Sequence, residues 1–371
     1  MTMTSFSRRG FLKSGAALAA ASALPMGGAH AASNITIGAI YVGPRDDFGW
    51  NQSHAAAMDI LRNVPGVTVI EEENVPETDA VARSMESMIN LDGVNLVLAT
   101  SFGYYNPFVL ETAAKYPDVQ LRHCAPLWNP DTDPKNAGSY FSYLNQAHFV
   151  NGVAAGLSSP TGKLGFVAAK PVQTVLSNCN SFLLGARSVN PNATVQVIFT
   201  GEWSMPVREA EATNALIDAG CDVVSCHVDS PKVVIETAEA RGVKTCGHNA
   251  DQRQLAPNGF ITGAESKWST TYKIYANALM NGEEVPNLIA GGYHNDMVMN
   301  TPFGAGATPE AIAAANAAID ELKAGKPIYV GPLKDNKGNL VIQGEMDNYA
   351  PELEKDELSS GRGHGVHHLI R

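Results

Sequence analysis

The chain has 371 residues, 44% hydrophobic, 17% charged and only 7% aromatic, with 37 acidic against 26 basic side chains and a formal charge of −11. That length accommodates two compact lobes, each with its own core, and the composition argues against a disordered chain. An acidic balance without clusters of Lys or Arg excludes nucleic acid and anionic lipid as expected partners, because binding them by counterion release needs basic side chains.

The chain opens with Ser7-Arg8-Arg9-Gly10-Phe11-Leu12-Lys13, then an apolar, alanine-rich run from Gly15 to Pro25, then Ala29-His30-Ala31. This is similar to a twin-arginine export signal with a small-x-small cleavage site, placing the mature start near Ala32 in a periplasmic protein. The apolar run is shorter than the roughly 20 residues that span a bilayer. No Cys stands at the cleavage point, so no lipid anchor is expected. Removal of residues 1–31 leaves 23 basic side chains against 37 acidic, a charge of −14. The five cysteines, Cys124, Cys179, Cys221, Cys226 and Cys246, are odd in number, and Cys221-x4-Cys226 lies in a run that reads as a buried strand rather than a zinc motif.

Beyond the signal, short apolar runs alternate with amphipathic segments. The pattern predicts strands at 35–42, 67–71, 94–99, 119–122 and 140–143, interleaved with helices at 51–62, 79–89 and 107–114. A second series follows, with helices at 147–157, 174–187, 207–218 and 233–240 and strands at 164–168, 194–199, 222–226, 244–246 and 259–262. Two such series predict an α/β architecture of two doubly wound, parallel-sheet lobes. A helix at 270–280, a strand near 287–290 and a helix at 309–324, capped by Thr308 with Pro309 at its first position, are too little for a third domain. They are expected to cross back and complete each sheet. The expected division is a signal at 1–31, one lobe of 34–144 plus about 265–286, a second of 145–264 plus about 287–332, and a hairpin and polar tail at 333–371. The tail carries His364, His367 and His368.

In open α/β sheets, ligands bind beyond the carboxyl ends of the strands. The loops at those ends hold Phe48, Trp50 and Asn51 after the first strand and Phe102 and Tyr104 after the third. The second series places Asn178 and Asn180 in its helix at 174–187, Trp203 and Asp229 after two strands, and Asp251 and Lys267 after two more. In a chain so poor in aromatics, this concentration suggests a flat ligand held by stacking. Carboxylates and amides would read its N–H groups and ring nitrogens. Asp229-Ser230-Pro231 also fits a helix N-cap, a role compatible with ligand contact. No Gly-x-Ser-x-Gly, phosphate loop or His-Glu-x-x-His occurs, and His54, His123, His148, His227 and His248 show no metal-ligand spacing. No catalytic residue, metal or cofactor is expected.

Asp47-Phe48-Gly49-Trp50-Asn51, Thr100-Ser101-Phe102-Gly103-Tyr104, Gly162-Lys163-Leu164-Gly165-Phe166-Val167, Gly185-Ala186-Arg187-Ser188-Val189-Asn190-Pro191, Trp203, Asp229-Ser230-Pro231 and Gly331-Pro332-Leu333-Lys334-Asp335 resemble the basic membrane protein family of substrate-binding proteins. The resemblance spans about residues 35–345. It implies a type I periplasmic-binding fold of two lobes joined by three crossovers. It also implies a purine base or nucleoside in the cleft, and delivery of that ligand to an ABC permease. By the same resemblance Phe48 or Trp50 would face Trp203 across the ring, Asp251 would match the family's acidic residue, and Lys267 would stand near a sugar-contacting lysine. A freely diffusing monomer is expected. A nucleoside hydrolase, a sensor presenting its closed form to a receptor kinase, and a sugar receptor of the same fold remain alternatives.

Overall fold

A computed structural model describes residues 34–348. The export signal and the tail histidines lie outside the described residues.

The first lobe contains β1 (Ile35–Ile40), α1 (Trp50–Leu61), β2 (Val67–Glu72), α2 (Asp79–Leu91), β3 (Leu96–Ala99), α3 (Leu110–Lys115), β4 (Gln120–Cys124) and β5 (Ala137–Ser142). The second contains α4 (Asn145–Ser158), β6 (Lys163–Ala168), α5 (Gln173–Val189), β7 (Thr194–Phe199), α6 (Pro206–Asp218), β8 (Val223–His227), α7 (Lys232–Ala240), β9 (Lys244–Asn249) and β10 (Phe260–Ser266). The chain then returns through α8 (Trp268–Asn281) and β11 (Leu288–Gly291) before β12 (Val298–Asn300) and α9 (Pro309–Lys323). The first sheet has the order β11-β5-β4-β3-β1-β2 with every pair parallel. The second has the order β12-β10-β9-β8-β6-β7 and is parallel except at β10–β12. These two doubly wound sheets are the α/β architecture expected from the strand-helix alternation.

Both faces of each sheet are covered, and the period-two alternation of strands explains how. Leu96 and Leu98 of β3 pack with α1 and α8, whereas Val97 and Ala99 pack with α2 and α3. In β6, Leu164, Phe166 and Ala168 join the core under α4, α5 and α9, and Val167 faces α6 and α7. The edge strands β2, β7, β11 and β12 are largely half-buried or exposed. Helices α4 and α5 approach backbone to backbone: a Cβ on Gly152 would lie 2.0 Å from the Phe182 carbonyl oxygen.

The lobes are joined by three crossovers, between β5 and α4, between β10 and α8, and between β11 and β12. Ser142 and Ser266 share a hydroxyl hydrogen bond between the first two. The third is tied in by the Tyr293 amide, which donates to Gln146 Oε1 at 3.0 Å, and by Lys267 Nζ on Asp296 at 2.6 Å. The return to the second lobe, expected at about 287, comes after Gly291 instead, because β11 pairs with β5 in the first sheet. The helix expected at 107–114 is regular only from Leu110; Asn106, before Pro107, has extended dihedrals that break the turn starting at Phe102. After α9, β13 (Tyr329–Val330) pairs with β16 (Glu345–Met346), and β14 (Leu333–Lys334) pairs with β15 (Leu340–Ile342) around a turn at Asp335–Gly338.

Candidate functional site: the cavity between the lobes

The carboxyl ends of the two sheets face each other across a cavity of about 340 Å³. From the first lobe it is lined by Trp50, Ser101, Phe102 and Cys124, and by Phe141 and Ser142 at the end of β5. The second lobe contributes Lys170, Thr174, Asn178, Trp203, His227, Asp229, His248 and Asn249.

The mouth is closed by direct contacts between lobes. Asp47 anchors the start of α1, its carboxylate accepting from the amides of Gly49, Asn51 and Gln52 and from Asn51 Nδ2 at 2.8–3.0 Å. The loop so held then reaches across. The Trp50 amide donates to the Asp229 carbonyl at 2.8 Å, Ser230 Oγ donates to the Asp47 carbonyl at 2.6 Å, and Gln252 Nε2 donates to the Phe48 carbonyl at 2.6 Å. Gly49 is pressed so closely on this seam that a Cβ there would lie 1.8 Å from the Asp229 carbonyl oxygen.

Inside, Trp50 is fixed by its indole N–H on the Thr100 carbonyl (3.2 Å) and by edge contacts with His54 and Trp268. Trp203, from the other lobe, stands 6.1 Å from the ring of His227, and Lys170 Nζ lies 5.7 Å from the indole centroid while pairing with Glu202. The Phe102 loop is held by Glu77, which accepts from Ser101 Oγ and the Gly103 amide, leaving the Phe102 ring half-exposed at the rim.

Asp229 is the electrostatic centre. Among the described residues its carboxylate has no hydrogen-bond or ion-pair partner, and the surface left to it faces the cavity. Burial first, then the neighbouring Asp47, Glu77 and Glu209, push its pKa up to about 7, with Lys170 opposing. The expected N-cap role is not taken: α7 begins after Pro231 without a side-chain cap. Two buried amide oxygens, Asn178 Oδ1 and Asn249 Oδ1, also lack partners.

Of the residues singled out in the sequence, Trp50, Phe102, Asn178, Trp203 and Asp229 line the cavity together. The others do not. Phe48 turns toward Lys232, whose Nζ is 5.4 Å from its ring, and Asn51 is spent on Asp47 and the Gly43 amide. Tyr104 is buried with its hydroxyl on the Val75 carbonyl. Asn180 is two residues past Asn178 in α5 and so points away from it. Asp251 pairs with Arg253 at the surface, which holds its carboxyl below the usual range, and Lys267 belongs to the crossovers.

The sequence reading missed three histidines as a unit. His148 Nε2 lies 3.0 Å from His248 Nδ1, the rings of His227 and His248 are 4.2 Å apart, and Asn178 Nδ2 lies 2.8 Å from His227 Nδ1. Burial lowers the His227 pKa to about 3 and those of His148 and His248 well below the ordinary value, so all three are neutral. Among the described residues no His, Cys, Asp or Glu group is arranged to hold a metal ion, and all five cysteines are buried free thiols.

Comparison with known proteins bears on this geometry. Residues 34–310 match the family described as ABC transporter substrate-binding protein PnrA-like, and residues 5–25 match the twin-arginine translocation signal, so the chain is exported to the periplasm by that pathway. A purine-binding protein of Brucella abortus, BAB2_0673, is 36% identical over 75% of this chain and 78% of its own length. A Haloferax volcanii protein named "Putative ABC transporter glucose-binding protein TsgA13" is 28% identical over 88% of this chain and 82% of its own. Among solved structures, a solute-binding protein of an ABC transporter system from Conexibacter woesei superposes with a TM-score of 0.68 at 22% identity, covering 78% of this chain and 97% of that one. That likeness carries the type I periplasmic-binding fold. The chain belongs to the PnrA-like family of ABC transporter substrate-binding proteins, exported receptors that bind a small solute and work with a permease.

Proposed function

We propose that the solute is a purine base or nucleoside, bound in the cavity between Trp50 and Trp203 and delivered unchanged to the permease by a monomeric receptor. The observation that carries this reading is the unpaired carboxylate of Asp229 in an enclosed, tryptophan-walled cavity. A half-buried carboxylate with no partner among the described residues is costly to ionise, and the ligand that relieves it must bring N–H or O–H donors. A purine brings N–H donors on the rim of a flat ring whose two faces stack on indole. The relative named for purine binding, at 36% identity, supports the same class.

Delivery without chemistry agrees with the state of the cavity's polar groups. His227 is hydrogen-bonded to Asn178 and His248 to His148, so neither is paired with a nucleophile. The test is calorimetric titration of the mature protein with adenine, guanine, hypoxanthine, adenosine, guanosine and glucose, followed by chromatography of the ligand. One-to-one binding of at least one purine, recovered intact, is expected. Binding of glucose alone, or release of free base from a nucleoside, refutes the reading.

A further inference from the structure

His227 and His248 lie at the carboxyl ends of β8 and β9 and His148 in the first turn of α4, and their hydrogen bonds determine which nitrogens carry protons. Asn178 Nδ2 has only protons to give, so His227 Nδ1 accepts from it. A neutral His227 must then carry its one proton on Nε2. The opposite amide orientation would strand two N–H groups of Asn178, which is only 1% exposed, in place of one oxygen. In the second pair, His148 Nδ1 is enclosed without a partner. A proton there would be a stranded donor, so the proton of His148 sits on Nε2 and is donated to His248 Nδ1. His248 therefore also carries its proton on Nε2. Both residues line the cavity, and neither Nε2 has a partner among the described residues.

We propose that His227 and His248 are a pair of neutral donors that select a ligand edge bearing hydrogen-bond acceptors, and that Asn178 and His148 are positioning residues that fix their tautomers. The proposal rests on the reading of the cavity as a purine site, and gives it a polarity. Asp229 takes N–H groups from one part of the ligand, while the imidazoles give N–H groups to ring nitrogens or a carbonyl oxygen on another. A ligand with donors on both edges would strand two buried N–H groups against its own. Because the imidazoles are held neutral, this donor pair keeps its polarity across the physiological pH range.

Two measurements test it. Nitrogen-15 spectra of the histidine side chains in the ligand-free protein should show Nδ1 as the bare nitrogen and Nε2 as the protonated one in both His227 and His248. Asn178→Asp, whose carboxylate can only accept, should move the His227 proton to Nδ1. A proton on Nδ1 of His227 or His248 in the wild type overturns the proposal. The second measurement compares guanine and adenine with their 3-deaza and 7-deaza analogues, in which an acceptor nitrogen becomes C–H. At least one analogue should bind the wild type tenfold or more weakly than its parent, and that penalty should vanish in His227→Phe or His248→Phe. Equal penalties in wild type and both variants overturn the proposal. If the wild type binds no purine, the purine reading fails by itself, and the nitrogen spectra still decide the tautomers.

Discussion

Gly49→Ala probes closure with little else disturbed. The backbone at Gly49 has φ −155° and ψ −124°. Across the lobes the new Cβ would be 1.8 Å from the Asp229 carbonyl oxygen and 2.8 Å from Pro231 Cδ, where about 3 Å is the closest approach real Cβ atoms make. The lobes must part by more than about 1 Å at this seam, since neither backbone can yield within its own packed lobe. Separation on that scale breaks the three hydrogen bonds from Trp50, Ser230 and Gln252. At roughly 0.5–1.5 kcal/mol each, their loss disfavours the closed state by about 2–4 kcal/mol. Because apparent affinity scales with the population of the binding-competent state, Gly49→Ala should weaken purine binding about 30- to 1,000-fold. Calorimetry gives the affinity, and small-angle scattering with saturating ligand should report a larger radius than for the wild type. Circular dichroism should be unchanged, since neither lobe's core is touched. Wild-type affinity together with a wild-type radius would refute the argument that the seam at Gly49 is part of the bound state.

Further outcomes follow from the cavity and the export signal. Asp229→Ala should cost on the order of 1.5–3 kcal/mol of purine binding, whereas Asp251→Ala should leave calorimetric affinity unchanged, because Asp251 is paired with Arg253 outside the cavity. Since the ligand's N–H groups favour ionised Asp229, whose pKa is about 7 without ligand, affinity should fall by up to about tenfold per pH unit below 7. Stability of the ligand-free protein takes the opposite sign. A carboxyl whose folded pKa is raised contributes stability at acid pH and loses it as pH rises through 7, so Asp229→Asn should raise the melting temperature at pH 8 while weakening binding. Trp203→Ala should weaken purine binding by roughly 1–3 kcal/mol and Trp203→Phe by much less, a ranking read by calorimetry on folded variants. Changing Arg8 and Arg9 to Lys should leave precursor in the cytoplasm, as fractionation and immunoblotting would detect.

The alternation that built both sheets was legible because parallel strands covered on two faces read as unbroken apolar runs, as in Leu96–Ala99 and Leu164–Ala168. Short segments whose pairing is set by tertiary context were not. Val298–Asn300 has only the short apolar triplet Met297-Val298-Met299 and pairs as a strand with its antiparallel partner β10. The same division holds in the cavity. Trp50, Phe102, Trp203 and Asp229 stood out because they lie in loops past strand ends, where polar and aromatic residues have no place in a core. His227 and His248 lie within the last turns of β8 and β9, and a histidine in a buried strand reads as core. The available signal was positional: both occupy the carboxyl end of their strand, on neighbours in the sheet. Asp251 misled because the carboxylate's partner, Arg253, is two residues away and on the outer side of the same turn.

Calorimetric titration of the mature protein with adenine, guanine, hypoxanthine and their nucleosides, against glucose as the rival solute, decides whether this exported receptor closes on a purine. Saturable one-to-one binding of at least one purine is expected, weakened about 10- to 150-fold by Asp229→Ala, with no heat from glucose. Glucose binding without any purine binding, or purine binding indifferent to Asp229, would contradict that expectation.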